Sequence, residues 1–255
     1  MLRFLNRIAL PTLSVLVVAL LWFVATRGTN QASVLSFPSP ASVAEILQQH
    51  WLTLLEAAGI TLARVLAGSG LGAAAGIALG VLCCRFPTLF KLAHPLIEIV
   101  RPVPPIALTP FFILWLGLGT LAQISLIALG AFMIAFVSTT GAIANLDQIY
   151  ERAYLLLGGT RAGLVRAVWL PAIMPELTSA FRIILATAFA LTVAAEYLGA
   201  QGGLGYIIRN ARTLLDTSSI LVAAAALGVS SFLLDAVIYQ IMRWVTRWIP
   251  RSGES

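Results

Sequence analysis

Residues 147–171 read DQIYERAYLLLGGTRAGLVRAVWLP, the longest charged, helix-forming stretch of a chain otherwise built from apolar runs. A polar insert between apolar runs long enough to cross a bilayer is a surface for contact outside the lipid. Gly158 and Gly159 interrupt a helix, since glycine costs about 1 kcal/mol relative to alanine in a helix interior. The stretch therefore predicts two short helices, 147–157 and 161–169, joined by an elbow at these glycines. Pro171 is expected to end the second helix, and the helix of the next span follows it.

The composition of the whole chain is that of an integral membrane protein. Of its 255 residues, 60% are hydrophobic and 10% are charged, whereas soluble domains carry about 25% charged residues. The net charge of +6 resides in short basic clusters beside apolar runs, which indicates membrane topology rather than nucleic-acid binding. The adjacent Cys83 and Cys84 have no spacing for a metal or a disulfide, so we interpret them as small hydrophobic residues. Motifs of hydrolases, zinc proteases and nucleotide-binding loops are absent from the sequence.

Apolar runs predict six transmembrane helices, because a span needs roughly 20 apolar residues. Residues 102–146 contain no ionisable side chain over 45 positions, and Gly117 to Thr120 (GLGT) is the natural turn between two spans there. The first run also has the composition of a secretory signal, but it is long and no clear cleavage site follows it, so we expect it to remain as a span. The predicted spans are residues 8–25, 60–84, 101–117, 121–140, 177–199 and 219–242.

The positions of the basic residues predict the orientation of these spans. Groups of arginine and lysine precede span one, separate spans two and three, separate spans four and five, and follow span six. With six spans all four groups fall on one side of the membrane. Both termini and the 147–171 insert are therefore expected in the cytoplasm.

Four regions follow from this pattern: a first span with an outer linker (1–36), an outer amphipathic helix (37–57), a core of five spans (58–250) and a short cytoplasmic tail (251–255). In the amphipathic helix, which we expect to lie on the outer membrane surface, Ser42 is a candidate N-cap with Glu45 three residues later. The glycines of span two recur every four residues at Gly72, Gly76 and Gly80. This spacing predicts close packing against another helix, with a contact that slides during gating as the alternative.

Two charged residues near the outer ends of spans are candidates for a pathway or gate. Arg64 belongs to span two and Glu196 to span five, and charges at such depth usually face a cavity or a partner. The other interpretation is a structural ion pair or a side chain that extends to the membrane surface. Asp235 in span six is expected to face inward or to pair. After span five, glycines 202, 203 and 205 predict a sharp turn, and the following helix (206–215, with two arginines) is either a docking surface for an outer protein or a solvated surface helix.

One face of the first short helix in the insert is apolar. The residues on it are expected to be Tyr150, Ala153, Tyr154 and Leu157. Such a face fits either a groove on another protein or the surface of the inner leaflet, with Arg161 and Arg166 towards the lipid headgroups. Periodicity alone leaves these two alternatives open.

The insert resembles the EAA loop of binding-protein-dependent ABC importer permeases, which runs roughly E-A-A-x3-G-x9-I-x-L-P. Here the sequence from Arg152 to Pro171 reads R-A-Y-x3-G-x9-V-x-L-P, with Gly158 and the terminal Leu170 in place. Arg152 stands where an acid is usual, and Tyr154 replaces the second alanine. PLIEIVRPVPPIALTPFFILWLGLG (95–119), MPELTSAFRI (174–183) and AAEYLGAQGGLGYII (194–208) resemble the taurine, aliphatic sulfonate and nitrate permeases. The resemblance covers roughly residues 50–250.

This resemblance implies an all-α integral membrane protein with the type I ABC importer permease fold, placed in a bacterial inner membrane. It implies a second copy of the chain, two cytoplasmic ATPase subunits and an outer solute-binding protein as partners. The permease would bind no cofactor and hydrolyse no ATP itself. Taurine or another sulfonate is the first expected solute, with nitrate, bicarbonate or a pyrimidine-type vitamin precursor as alternatives. A membrane-embedded enzyme and an ion channel are rival classes. The residues implied to couple the ATPases are Glu151, Arg152, Ala153, Tyr154, Gly158, Gly159, Arg161, Leu170 and Pro171.

Overall fold

The computed structural model describes Leu13, residues 16–24, Thr26 and residues 38–247. The described residues before position 38 are helical, and Pro38 and Ser39 form a short non-helical stretch before the next helix. The predicted first span is thus only partly covered. The outer linker that follows it and the tail at 251–255 lie outside the described residues, as does the question of a removable signal.

Residues 38–247 fold into helices joined by short connections, and no strand occurs in this range. A 3-10 turn covers Pro105–Leu108, and a π-helical turn covers Val165–Trp169. The predicted all-α class is confirmed. The α-helices are α1 (Pro40–Arg85), α2 (Pro87–Val100), α3 (Thr109–Leu116), α4 (Thr120–Ala144), α5 (Gln148–Leu156), α6 (Leu170–Gly199), α7 (Leu204–Thr213) and α8 (Thr217–Val245).

Four helical segments in the described ranges are long and apolar enough to cross a membrane: α1, α4, the π turn with α6, and α8. The predicted spans 60–84, 121–140, 177–199 and 219–242 lie within them. A fifth candidate consists of α2 together with residues 105–116, which are bent by 85° relative to each other. The count of six spans includes the first one, so it stays a prediction.

The third span is not the single helix at 101–117 that was predicted. Residues 101–104 are not helical, and the chain turns sharply between α2 and the 3-10 turn. Pro102, Pro104 and Pro105 cause this break, because proline lacks the N–H of a helix ladder and forces the preceding residue out of the helical region. Pro104 accordingly is extended (φ −61°, ψ 122°). Apolarity predicted the length of the segment but not its broken shape.

Helix α1 joins two regions that the sequence separated. It continues from the predicted outer amphipathic helix into span two, and only His50 departs from helical geometry (φ −121°, ψ 17°). The predicted cap at Ser42 is wrong. Ser39 is the N-cap, its Oγ accepting from the Ser42 amide at 3.2 Å, and Pro40 occupies the first turn, where no N–H is needed.

The predicted glycine face packs α1 against α4 at close range. A Cβ atom at Gly76 would lie 2.8 Å from the Cβ of Ala135, and one at Gly80 would lie 2.9 Å from the Cβ of Thr139. The backbones of the two helices therefore approach each other as closely as glycine allows. Helix α6 packs against both helices, since Leu185, Ala188 and Phe189 share one buried apolar cluster with Val65 of α1 and Ile127 of α4.

Candidate functional site

Helix α5 begins and ends at residues with clear capping roles. The Asp147 carboxylate accepts from the Ile149 amide at 2.9 Å, and this negative charge also suits the helix N-terminus. At the other end the Gly159 amide donates to the Tyr154 carbonyl at 3.0 Å and the Gly158 amide donates to Leu155 at 3.1 Å. This pair of hydrogen bonds is a Schellman motif, and Gly158 supplies its left-handed residue (φ +88°).

The elbow after α5 is covered by the ring of Tyr154. A Cβ atom added at Gly159 would overlap that ring, and one at Gly163 would overlap the phenol oxygen. The two glycines of the predicted elbow thus have different reasons to be glycine. Gly158 is required for its backbone conformation, and Gly159 is required for the space that the tyrosine occupies.

The second short helix predicted at 161–169 is not separate, and Pro171 does not end it. The π turn leads directly into α6, with the Leu170 amide donating to the Val165 carbonyl five residues earlier. Pro171 lies in the first turn of α6. The wider π turn accommodates the missing proline N–H and its ring. Helix α6 is therefore continuous, and its start lies directly beside α5.

A buried tryptophan ties α5 to this start of α6. Trp169 is 5% exposed, and its Nε1–H donates to Glu151 Oε1 at 2.7 Å. Trp169, Leu164 and Ile173 share an apolar cluster with Tyr154. The sequence analysis assigned Trp169 no role. The available signal was a tryptophan inside a polar insert, since a buried indole N–H needs a hydrogen-bond acceptor.

The face of α5 that points away from the rest of the chain is apolar and exposed, as predicted, but the residues on it differ from those predicted. Tyr154 turns inward, whereas Leu156 and Leu157 are 88% and 89% exposed. Arg152 is exposed and donates to Gln148 Oε1 at 3.0 Å, and Arg161 is exposed on the elbow. We call the exposed apolar surface the α5 patch. It consists of Ile149, Tyr150, Ala153, Leu156 and Leu157.

Arg64, in the middle of α1, and Glu196, in the last turn of α6, meet in a buried ion pair. Arg64 Nη1 lies 2.7 Å from Glu196 Oε1, and the glutamate is 0% exposed. The same carboxylate accepts from Thr61 Oγ1 at 2.9 Å and from the Gly205 amide at 2.9 Å. Arg64 Nη1 also donates to the Gly202 carbonyl at 2.7 Å. The carboxylate is thus surrounded by donors, which is the condition for a stable buried charge.

The glycine loop after α6 wraps this carboxylate. Gly203 has φ +107°, and a Cβ atom there would overlap the Glu196 carboxyl group. The Leu204 amide donates to Thr61 Oγ1 at 2.9 Å, which joins the start of α7 to the same cluster. The geometry therefore favours the structural interpretation of the pair over a gate or a pathway wall.

The two arginines of α7 contact residues at the end of α6 and directly after it. Arg209 donates to the Ala200 carbonyl at 3.1 Å and its guanidinium lies 5.0 Å from the Tyr206 ring centroid. Arg212 bonds the Tyr197 hydroxyl. A docking role for this helix stays a prediction.

Asp235 pairs, as expected, and its partner is Arg182 on α6. Two contacts join them, Nε to Oδ1 at 3.2 Å and Nη2 to Oδ2 at 3.1 Å. Across residues 38–247 and the described N-terminal positions, His, Cys, Asp and Glu side chains form no group of three or more that is placed to hold a metal ion. Cys83 and Cys84 are free thiols.

Comparison with known proteins agrees with this architecture. Residues 72–251 match the family described as binding-protein-dependent transport system inner membrane component. The chain is 32% identical over 248 residues to the taurine transport system permease protein TauC of Escherichia coli K12, covering 94% of this chain and 89% of that protein. It is 28% identical to the putative aliphatic sulfonates transport permease protein SsuC of Bacillus subtilis 168, covering 92% and 86%.

Two further relatives broaden the picture. The formylaminopyrimidine transport permease protein ThiX of Halalkalibacterium halodurans is 26% identical, covering 93% of this chain and 95% of that protein. A solved structure described as inward-facing conformations of the MetNI methionine ABC transporter superposes with a TM-score of 0.69 at 24% identity, covering 78% of this chain and 99% of that one. The latter likeness concerns the fold.

These findings define the class: the chain is an ABC transporter permease, an inner-membrane component with several apolar helices. It belongs to the binding-protein-dependent transport system inner membrane component family.

Proposed function

We propose that this chain forms the translocation pathway of an ATP-driven, type I importer for a small anionic or zwitterionic solute, with taurine or another sulfonate as the first candidate. The observation that carries the proposal is the α5 patch, an exposed apolar surface fastened to a membrane-spanning helix. Leu156 and Leu157 are almost fully exposed, and clustered exposed apolar side chains mark interaction sites.

The partner of the α5 patch is a cytoplasmic ATPase subunit in this proposal. An apolar helix face seated in a groove is a recurrent form of recognition between proteins. Contact with the inner leaflet would also cover the patch. It would, however, leave unused the rigid link from α5 to α6 through Glu151 and Trp169, whereas docking to a moving subunit requires such a link.

The link explains how motion of the ATPases would reach the membrane. Helix α5 is capped at both ends, by the Asp147 side chain and by the turn at Gly158, so it would move as one unit. Its displacement moves Trp169, which belongs to the same continuous helical segment as Glu196. A push on α5 therefore rotates or tilts α6 as a body rather than bending a loop.

The proposed assembly contains two copies of this chain, two ATPase subunits and an outer solute-binding protein. The orientation is the one the basic residues predict, with six spans, both termini and α5 in the cytoplasm. The permease binds no cofactor in this proposal, and ATP is held and hydrolysed by the partner subunits. The outer protein sets much of the solute selectivity.

The choice of solute is supported by relatives whose names concern taurine and aliphatic sulfonates. The relative ThiX is named for a formylaminopyrimidine, so a pyrimidine-type precursor is retained as an alternative, together with nitrate and bicarbonate. Growth of a deletion strain on taurine as sole sulfur source separates these solutes.

The docking proposal is tested by replacing two residues of the α5 patch. In Leu156→Glu/Leu157→Glu, buried charges would replace apolar contacts, so we expect loss of co-purification of the ATPase encoded beside this chain and loss of uptake. The matched control is Leu214→Glu, which is 79% exposed after α7 and should retain co-purification of the ATPase. If the double variant still co-purified with the ATPase at the wild-type ratio, docking through α5 would be wrong.

A further inference from the structure

A cavity of about 330 Å³ lies beside the break in the third span. It is enclosed by residues that precede and follow the break, by α4, and by one residue of α6. Its walls are mainly apolar, and only one of its lining residues is charged. The residues that shape it most are Arg101, Pro105, Gly130, Met133, Ser138 and Thr187.

The cavity lies at the middle of two spanning helices. The α4 residues that line it run from 129 to 138 within a helix that extends from Thr120 to Ala144. Thr187 is near the centre of α6, which extends from Leu170 to Gly199. At 1.5 Å per residue, Gly130 and Thr187 are each roughly 15–25 Å from the ends of their helices. The cavity therefore extends from the middle of these helices, at Gly130 and Thr187, to Ser138, which is about 9 Å from the end of α4 that leads to the 147–171 insert.

Arg101 brings a positive charge to this apolar cavity. Arg101 directly follows α2 and lines the cavity together with Val137 and Ser138 of α4. Among the described residues it forms one ion pair, from Nη1 to Glu98 Oε1, which is weak because it is 3.4 Å long and both side chains are about half exposed. Arg64, in contrast, is 7% exposed and is engaged by Glu196 and the Gly202 carbonyl. Arg101, not Arg64, has a guanidinium open to a ligand.

We propose that this cavity binds the transported solute as a small organic anion, with the Arg101 guanidinium contacting its sulfonate or comparable oxyanion group. The planar guanidinium matches two oxygens of such a group, and two hydroxyl-bearing residues, Ser138 and Thr187, belong to the same lining. A charge beside an apolar cavity is costly unless it faces water or a ligand, and an anionic group in the cavity would meet that condition. The proposal rests on the proposed importer function for its solute class.

A thiol-labelling experiment tests the charge preference of the cavity without requiring transport. Thr187→Cys is placed in a chain lacking its own thiols (Cys83→Ala, Cys84→Ala), and the permease is purified with its partner subunits in lipid nanodiscs. Two methanethiosulfonate reagents are compared, one carrying an ethylsulfonate and one a trimethylammonium group. We expect faster reaction with the sulfonate reagent, and loss of that preference by about tenfold in Arg101→Gln, the size of a modest charge interaction.

Two control variants show whether the ratio of the two labelling rates depends on Arg101. Arg243→Gln removes an arginine outside the cavity and should leave the preference unchanged. Glu98→Gln keeps Arg101 and removes its carboxylate, so the preference for the sulfonate reagent should increase. An unchanged ratio in Arg101→Gln overturns the proposal. So does a complete lack of labelling, because a second copy or a lipid chain would then fill the cavity.

Uptake of radiolabelled taurine separates this inference from the proposed function. We expect Arg101→Lys to retain only part of the uptake, because an ammonium group cannot match two oxygens at once. Arg101→Gln should lose at least about tenfold in maximal rate, with ATPase activity stimulated by the binding protein retained. Absence of taurine uptake by the wild-type complex would refute the proposed solute, yet the labelling ratio would still decide whether an anion site exists. Equal uptake by Arg101→Gln and wild type would refute the role of Arg101.

Discussion

At the scale of single residues, the Glu196 carboxylate shows how a charge is buried near the C-terminal end of a long apolar helix. It is fully buried and accepts hydrogen bonds from Arg64, Thr61 and the Gly205 amide. Arg64 and Thr61 belong to α1, and Gly205 belongs to the first turn of α7, while Glu196 itself is on α6. The carboxylate therefore joins three segments, and the loss of any one partner leaves a polar group unpaired in a place without water.

We predict that the two members of this pair are strongly coupled in stability. Arg64→Met and Glu196→Met each leave one buried charge uncompensated, a loss of about 3–5 kcal/mol, and each should lower the apparent Tm. The double variant leaves no unpaired charge, so its Tm should fall by less than the sum of the two single effects. The measurement is thermal unfolding of the purified permease in lipid nanodiscs. Additive losses would show that the pair is not a coupled unit.

At the scale of helices, the centre of the molecule is set by how closely α1 and α4 approach each other. Gly76 faces the backbone of α4, and a Cβ atom there would lie 2.8 Å from Ala135 Cβ. Gly70 belongs to the same helix but has nothing within 4 Å of its Cβ position. The two positions separate the effect of interhelical space from the effect of helix propensity.

Gly76→Ala and Gly70→Ala form a matched pair of substitutions. Gly76→Ala should push α1 from α4 and destabilise the permease by roughly 1–3 kcal/mol through overpacking. Gly70→Ala should be neutral or stabilising by up to about 1 kcal/mol, because alanine favours the helix and meets no neighbour. The apparent Tm of both proteins checks this. Equal shifts in the two variants would mean that the close contact has no energetic weight.

At the scale of the whole molecule, the proposed function needs a mechanical connection from the cytoplasmic surface to the spans. The structure offers one through Glu151 on α5 and Trp169 at the start of α6. The π turn keeps that start continuous with α6 in spite of Pro171. The distance between the α5 patch and the membrane core is therefore crossed by one helical segment rather than by a loop.

We predict that loss of the Trp169 hydrogen bond reduces the solute imported per ATP hydrolysed. Trp169→Phe keeps an aromatic ring in the cluster but removes the N–H donor to Glu151, so α5 would move with less effect on α6. The ratio of uptake to ATP hydrolysis in proteoliposomes should fall several-fold. Trp244→Phe, at a 66% exposed position of α8, should leave the ratio unchanged. A normal ratio in Trp169→Phe would show that coupling does not pass through this contact.

Features that depend on nearby residues were accessible from sequence. The membrane class and the four long apolar helices follow from runs of apolar residues, and the end of α5 follows from Gly158, whose left-handed conformation is a local property. The prolines after Arg101 were also visible in the sequence, but the prediction gave more weight to the long apolar run around them and therefore missed the break. The predicted N-cap of α1 was wrong for a similar local reason: the cap is Ser39, three residues before the predicted Ser42.

The amino-acid sequence by itself therefore determined a helical membrane protein, the place of its elbow and the family it resembles, because apolarity, glycine and proline act on their immediate neighbours. Only the tertiary structure decided which residues meet. Arg64 and Glu196 are 132 positions apart, Tyr154 turns inward against Gly159, and Arg101 reaches a cavity made with α4 and α6. Such contacts depend on the rotation and depth of packed helices, and no periodicity within a single segment contains that information.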